Sequence, residues 1–205
     1  MDHPRLAGAL SRLREWREGD IESIYSVTDD PVIPLISEIP LGKRDRAAAL
    51  RFVASQHKRL ADKQGWGFAV TGRDDDEAVG YVGVLWIAKP AGRASIGYWS
   101  CPRGRRRGLT ADAVQTAADW VLTQAGAARL EAFIEPWNTG SIRVAEKAGF
   151  QREGLMRSFA PLGGIRKDAF LYAKVTEDVP ALSHLGSGLA ANTLTPQSAP
   201  GGRSC

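Results

Sequence analysis

The sequence predicts an α/β protein, an α+β layered arrangement in which helices flank a mixed central sheet. Three observations carry this expectation: an antiparallel hairpin signal early in the chain, a strand that passes through a basic loop into a strongly periodic helix, and alternation of strands and helices thereafter. With 205 residues, 43% hydrophobic and 24% charged, the composition is that of an ordinary globular chain and excludes a wholly disordered or collagen-like one.

Residues 20–27 and 44–62 place apolar side chains such as Leu50, Val53, Ala54 and Leu60 at helical spacing, so two helices are expected there, joined by the Pro-punctuated segment 30–42. Residues 66–71 and 78–85 read as the arms of a hairpin around the polar turn Arg73-Asp74-Asp75-Asp76-Glu77. A further strand is expected over 95–100. Leu109, Ala113, Ala117, Trp120 and Val121 recur at three- and four-residue intervals, which predicts a helix over 109–124 that Gly126 ends. Residues 129–135 make the next strand. Asn138 or Thr139 can cap a helix carrying Ile142, Val144, Ala145 and Ala148, with Gly149 as its stop. Two last strands, 159–161 and 169–175, flank the turn Leu162-Gly163-Gly164. Residues 1–12 are set apart as an N-terminal extension, 13–176 as the domain, and 177–205, rich in Ser, Gly, Pro, Ala and Thr, as a tail that buries too little to fold alone.

Cys101 and Cys205 give neither a disulfide framework nor metal-ligand spacing, and His3, His57 and His184 are scattered, so no metal site is expected and a reducing cytoplasm fits best. The chain shows no apolar run of membrane-spanning length. A net charge of +4 favours anionic partners without choosing among coenzyme phosphates, acidic peptides and RNA.

The informative segment is Gly97-Tyr98-Trp99-Ser100-Cys101-Pro102-Arg103-Gly104-Arg105-Arg106-Arg107-Gly108-Leu109-Thr110, a strand running through a basic loop into the long helix. Unpaired amides at a helix N-terminus and the positive end of its dipole suit a pyrophosphate, and the arginines add charge-assisted bonds. Read alone, the same run also describes a solvated basic loop or an RNA contact. Neither a G-x-x-x-x-G-K-[ST] P-loop nor a G-x-G-x-x-G after a strand competes with it.

Arg105-Arg106-Arg107-Gly108-Leu109-Thr110 resembles the [Q/R]-x-x-G-x-[G/A] coenzyme A loop of the GNAT acetyltransferases, with Arg106 and Thr110 standing where that family usually has Gly and Gly or Ala. A second block, from Asn138-Thr139-Gly140-Ser141 to Glu146-Lys147-Ala148-Gly149-Phe150, is similar to the N-x-x-S-x-[RN]-[VLA]-x-E-[KR]-x-G-F stretch of the ribosomal-protein N-terminal acetyltransferase branch. Ser95 stands where that branch often has Glu ahead of Ile-Gly-Tyr.

The resemblance implies a GNAT fold whose sheet splays between the parallel strands 95–100 and 129–135, with acetyl-CoA as cosubstrate in the opening. It assigns Ser100, Cys101, Arg105, Arg106, Arg107, Gly108, Leu109, Thr110 and Asn138 to the coenzyme. Ser141 is the residue near the departing sulfur, with a helix cap as its alternative, and Asn138 has the same alternative. Glu135 and Glu38 are the candidate bases, and a nucleophilic Cys101 is the minor alternative to direct transfer. The expected acceptor is an amine, a protein N-terminus first and a polyamine, aminoglycoside or other small molecule second. A non-catalytic acyl-coenzyme A sensor or RNA-binding module on the same fold is the reading from another class. No membrane partner is expected, nucleic acid ranks below the coenzyme, and a homodimer is left open.

Overall fold

The computed structural model describes residues 3–37, 39 and 42–176. Eight strands form one sheet: β1 (Leu6–Ala7), β2 (Ser11–Glu15), β3 (Gly65–Gly72), β4 (Ala78–Ala88), β5 (Arg93–Ser100), β6 (Arg129–Ile134), β7 (Gln151–Leu162) and β8 (Ile165–Val175). Their spatial order is β1-β2-β3-β4-β5-β6-β8-β7, antiparallel at every pairing except β5 with β6. The helices are α1 (Ile21–Tyr25), α2 (Ile33–Ile36), α3 (Arg46–Ala61), α4 (Leu109–Thr123) and α5 (Thr139–Lys147).

Strand alternation divides the apolar residues between two cores. Val70, Val82, Val84, Ile96 and Leu130 pack against Leu109, Ala113, Ala117 and Val121 of α4 on one face. Ala69, Trp99 and Cys101 pack on the other, against Ile24 of α1, Phe52 and Val53 of α3, and Trp16. Among the described residues no helix is long and apolar enough to cross a membrane.

Three strands differ from the sequence expectation, and the segment 30–42, expected only to join two helices, carries α2. Residues 6–15, where no strand is expected, form β1 and β2, so the segment set apart as an extension contributes to the sheet. Their turn is fixed from a distance: the Asp112 carboxylate on α4 accepts the amides of Ala9 (3.0 Å), Leu10 (3.1 Å) and Ser11 (2.9 Å), and the Ser11 hydroxyl (2.6 Å). The strand expected over 159–161 is the end of the twelve-residue β7, bulged between Met156 and Ala160. Residues 177–205, expected to be a tail, lie outside the described residues.

The parallel pair is short. β5 and β6 are in register only at Arg93↔Arg129, Ala94↔Leu130 and Ser95↔Glu131. Beyond Ser95, β5 stays paired with β4 as far as Gly80↔Ser100, while β6 stays paired with β8 as far as Ile134↔Phe170. Each strand follows its outer neighbour, so the two separate into a V. Its closed end is fastened by Glu131, 2% exposed, which accepts from Arg93 Nη2 (3.0 Å) and Arg129 Nε (2.6 Å). Burial opposes that charge, but the two guanidiniums outweigh it and hold the carboxyl below its ordinary range.

Candidate active site

A cavity of about 570 Å³ opens at the wide end of the V, between the basic loop, α5 and the segment leading into α2. The loop conformation is set by two left-handed residues, Arg106 at φ 59° and Gly108 at φ 78°. Arg106 therefore adopts the backbone for which a glycine is best suited, which gives a physical reason for the residue usual at this place in the resembling loop. Gly108 is the N-cap of α4, and no side chain caps that helix, whereas Asp45 caps α3 and Asn138 caps α5. The first-turn amides of α4 are thus left for a ligand.

Four cations line this cavity, Arg105, Arg106, Arg143 and Lys147, against one carboxylate among the described lining residues, Asp30. Arg143 and Lys147 are four apart and so share one face of α5. Asp30 accepts the amides of Val32 (2.9 Å) and Ile33 (3.0 Å) and pairs with Arg105. Burial pushes its carboxyl up, but those two amides and Arg105 together hold it below its ordinary value. An uncapped helix start, a left-handed loop and surplus positive charge fit the pyrophosphate of coenzyme A.

Of the residues assigned to the coenzyme from sequence, Ser100, Arg105, Arg106, Gly108, Thr110 and Asn138 line this cavity. Leu109 contributes its place in the first turn of α4, while its side chain is 5% exposed and packs in the core. Arg107 is exposed beside the cavity. Cys101 requires correction. Its amide donates to Val79 O (2.8 Å), its carbonyl accepts from Gly104 N (2.9 Å), and its thiol faces Ser23 O at 3.4 Å in the core on the α3 side. Cys101 is fully buried in the cluster with Ile24, Phe52 and Trp99, with both backbone groups already paired. Burial is the main cause raising its thiol pKa, so Cys101 is neither a cleft residue nor an activated nucleophile.

A second cavity, about 520 Å³, meets the first at Tyr98, Trp99, Asn138 and Ser141, which line both. On its sheet side three glycines lie directly abreast, Gly67↔Gly83 and Gly83↔Gly97, in the middle of β3, β4 and β5. Gly83 and Gly97 line the cavity, and a Cβ built on Gly97 would meet nothing within 4 Å. Phe52, Tyr81, Trp99 and Phe133 supply aromatic walls, and Glu135, half-buried at the end of β6, reaches its edge. Glu38, the other expected base, lies outside the described residues.

The junction itself is organised by α5. Asn138 Oδ1 accepts from Ser141 N (3.1 Å), so Asn138 takes the cap role and Ser141 is the residue capped; the cap alternative for the Ser141 side chain is set aside. Tyr98, missed in the sequence, donates its hydroxyl to Ser141 O (2.8 Å) and ties α5 to β5 across the V. Burial first, and then Tyr172, raise its phenol well above the ordinary value, so it stays protonated. Its signal was its place one residue after Gly97, on the strand already selected.

A family model described as "Acetyltransferase (GNAT) domain" matches residues 11–151. The uncharacterized N-acetyltransferase p20 of Bacillus licheniformis is 33% identical over 106 residues, covering 52% of this chain and 60% of p20, so the chain spans about three fifths of that relative. The fold is similar to that of Mycobacterium smegmatis RimJ in complex with CoA-disulfide, with TM-score 0.73, 22% identity, and coverage of 87% of this chain and 88% of that one. It is also similar to the ribosomal-protein-S5-alanine acetyltransferase of Vibrio fischeri, with TM-score 0.70, 19% identity, and coverage of 85% and 98%.

Proposed function

Because the chain belongs to the GNAT acetyltransferase family, we propose that it moves the acetyl group of acetyl-CoA directly to an amine. The observation that carries this reading is the meeting of two unlike cavities at the open end of the β5–β6 pair: one basic and rimmed by an uncapped helix, the other aromatic with Glu135 at its edge.

Acetyl-CoA, when bound, supplies an activated thioester. The α4 amides with Arg105, Arg106, Arg143 and Lys147 hold its phosphates. The backbone of β5 beyond Ser95, freed from β6, offers hydrogen bonds to an amide-bearing arm. Glu135 takes the proton that the amine must lose as the C–N bond forms, and the Ser141 hydroxyl gives a proton to the sulfur as the C–S bond breaks. Asn138 and Tyr98 hold Ser141 in place from its amide and its carbonyl.

The acceptor we favour is the α-amine of a peptide chain. The motif from Asn138 to Phe150 and the likeness to a ribosomal-protein acetyltransferase support it. A thiol-release assay with acetyl-CoA and a panel of peptides, spermidine and an aminoglycoside tests the reading. Release with peptides is expected, and coenzyme binding without release from any amine would overturn it.

A further inference from the structure

Arg59 stands on the last turn of α3, half-buried, and lines the second cavity. Its Nη1 donates to Gln56 Oε1 (2.6 Å) and to Tyr81 Oη (2.5 Å). Both acceptors are neutral, so they orient the guanidinium without cancelling its charge. Arg14, Arg93, Arg103, Arg105 and Arg129 each have a carboxylate partner. Arg59 has none within 4.0 Å among the described residues, and its Nε and Nη2 donors are unengaged there.

The platform is built into the sheet. A Cβ on Gly67 would lie 2.3 Å from Gln56 Oε1, and one on Gly83 would lie 2.0 Å from Tyr81 Oη. Two mid-strand glycines thus make room for the two groups that hold Arg59, at positions where glycine weakens a strand. Apolar and aromatic walls beside a guanidinium strengthen its attraction for an anion. The only carboxylate among the described lining residues is Glu135. An amine that also bears an anion finds a complement for each end.

We propose that the acceptor carries a carboxylate or phosphate near its amine, and that this anion docks on Arg59. The proposal rests on the reading of this cavity as the acceptor site.

Calorimetry on the full chain saturated with coenzyme A, beside the thiol-release assay, tests it with three pairs: aspartate and asparagine, O-phosphoserine and serine, and the peptide amides Ser-Asp-Ala and Ser-Asn-Ala. Spermidine is the cationic arm. At least one anionic member should bind about tenfold or more tightly than its neutral partner, the pair that responds identifying the source of the anion. Arg59→Gln should bring that ratio towards one, and Arg59→Lys should retain part of it, with coenzyme affinity on the same preparations reporting the fold. Equal binding within all three pairs, tighter binding of spermidine, or an unchanged ratio in Arg59→Gln would overturn the proposal. Absence of thiol release with every probe would defeat the transferase reading, while the binding ratio decides on Arg59 independently.

Discussion

Arg105 Nη2 donates to Asp30 Oδ2 at 2.6 Å, so a cation of the basic loop is tied to the one described acid lining the first cavity. Asp30 also lowers the positive potential that a polyanion meets. Asp30→Asn keeps an oxygen for the Val32 and Ile33 amides and removes the charge. It should tighten coenzyme A binding about two- to tenfold, more at low ionic strength. Weaker binding by calorimetry would instead make Asp30 the group that aims Arg105.

Arg106→Gly should raise the melting temperature. A left-handed non-glycine residue costs about 1–2 kcal/mol, offset by the greater freedom of glycine in the unfolded chain, about 0.4–1 kcal/mol. The net gain is a rise of about 1–4 °C for a domain of this size. A fall, measured without ligand, would show that the Arg106 side chain contributes more to the fold than its backbone costs.

Ser141→Ala separates chemistry from helix capping. A lost proton donor should lower turnover about 10²-fold or more with little change in coenzyme affinity. Because Asn138 is the cap, the melting temperature should hold, whereas Asn138→Ala should lose about 1 kcal/mol of stability. Unchanged turnover at saturating substrate would remove Ser141 from the mechanism.

Gly97→Val fills the open space above the middle of β5 without backbone strain, since no positive φ is involved. Acceptor kcat/KM should fall about tenfold while coenzyme affinity stays within about twofold, the bulk of an isopropyl group being worth 1–3 kcal/mol in a pocket. Equal loss in both measurements would place the glycine row outside the acceptor site.

Glu131→Gln tests the closed end of the V against pH. A carboxyl whose folded pKa is depressed stabilises above its unfolded pKa, near 4.5, and that contribution disappears as pH falls through the lower folded value. The variant should be less stable than the parent at neutral pH, by about 2–3 kcal/mol after allowing for the partly exposed arginines. The two denaturation midpoints should converge below about pH 4. Parallel curves over that range would mean the two guanidiniums are not held by this charge.

What the sequence made legible is what local chemistry determines. The period of Leu109, Ala113, Ala117 and Val121 marks α4, Asn138 marks the start of α5, and the arginines with Gly108 mark the anion site. β1 and β2 escaped because the group that holds their turn, Asp112, is about a hundred residues away. The start of β7 escaped because its first five residues are all exposed, so no alternation appears. Cys101 was misplaced because being next to the cleft in sequence does not say whether a residue is buried beneath its wall. Arg59, Gln56 and Tyr81 come from a helix and a strand that only the fold brings together, although Gly67, Gly83 and Gly97, each inside a strand, were the available clue.

The Asp112 carboxylate also orders events in time. During synthesis the turn at Ala9–Ser11 leaves the ribosome before α4, and the acceptor for its four donors is made about a hundred residues later. Until α4 has formed, water holds those donors and the N-terminal edge of the sheet stays unlatched. The β1–β2 turn is thus fixed late, and protection of the Ala9, Leu10 and Ser11 amides from exchange dates the arrival of α4 in the growing molecule.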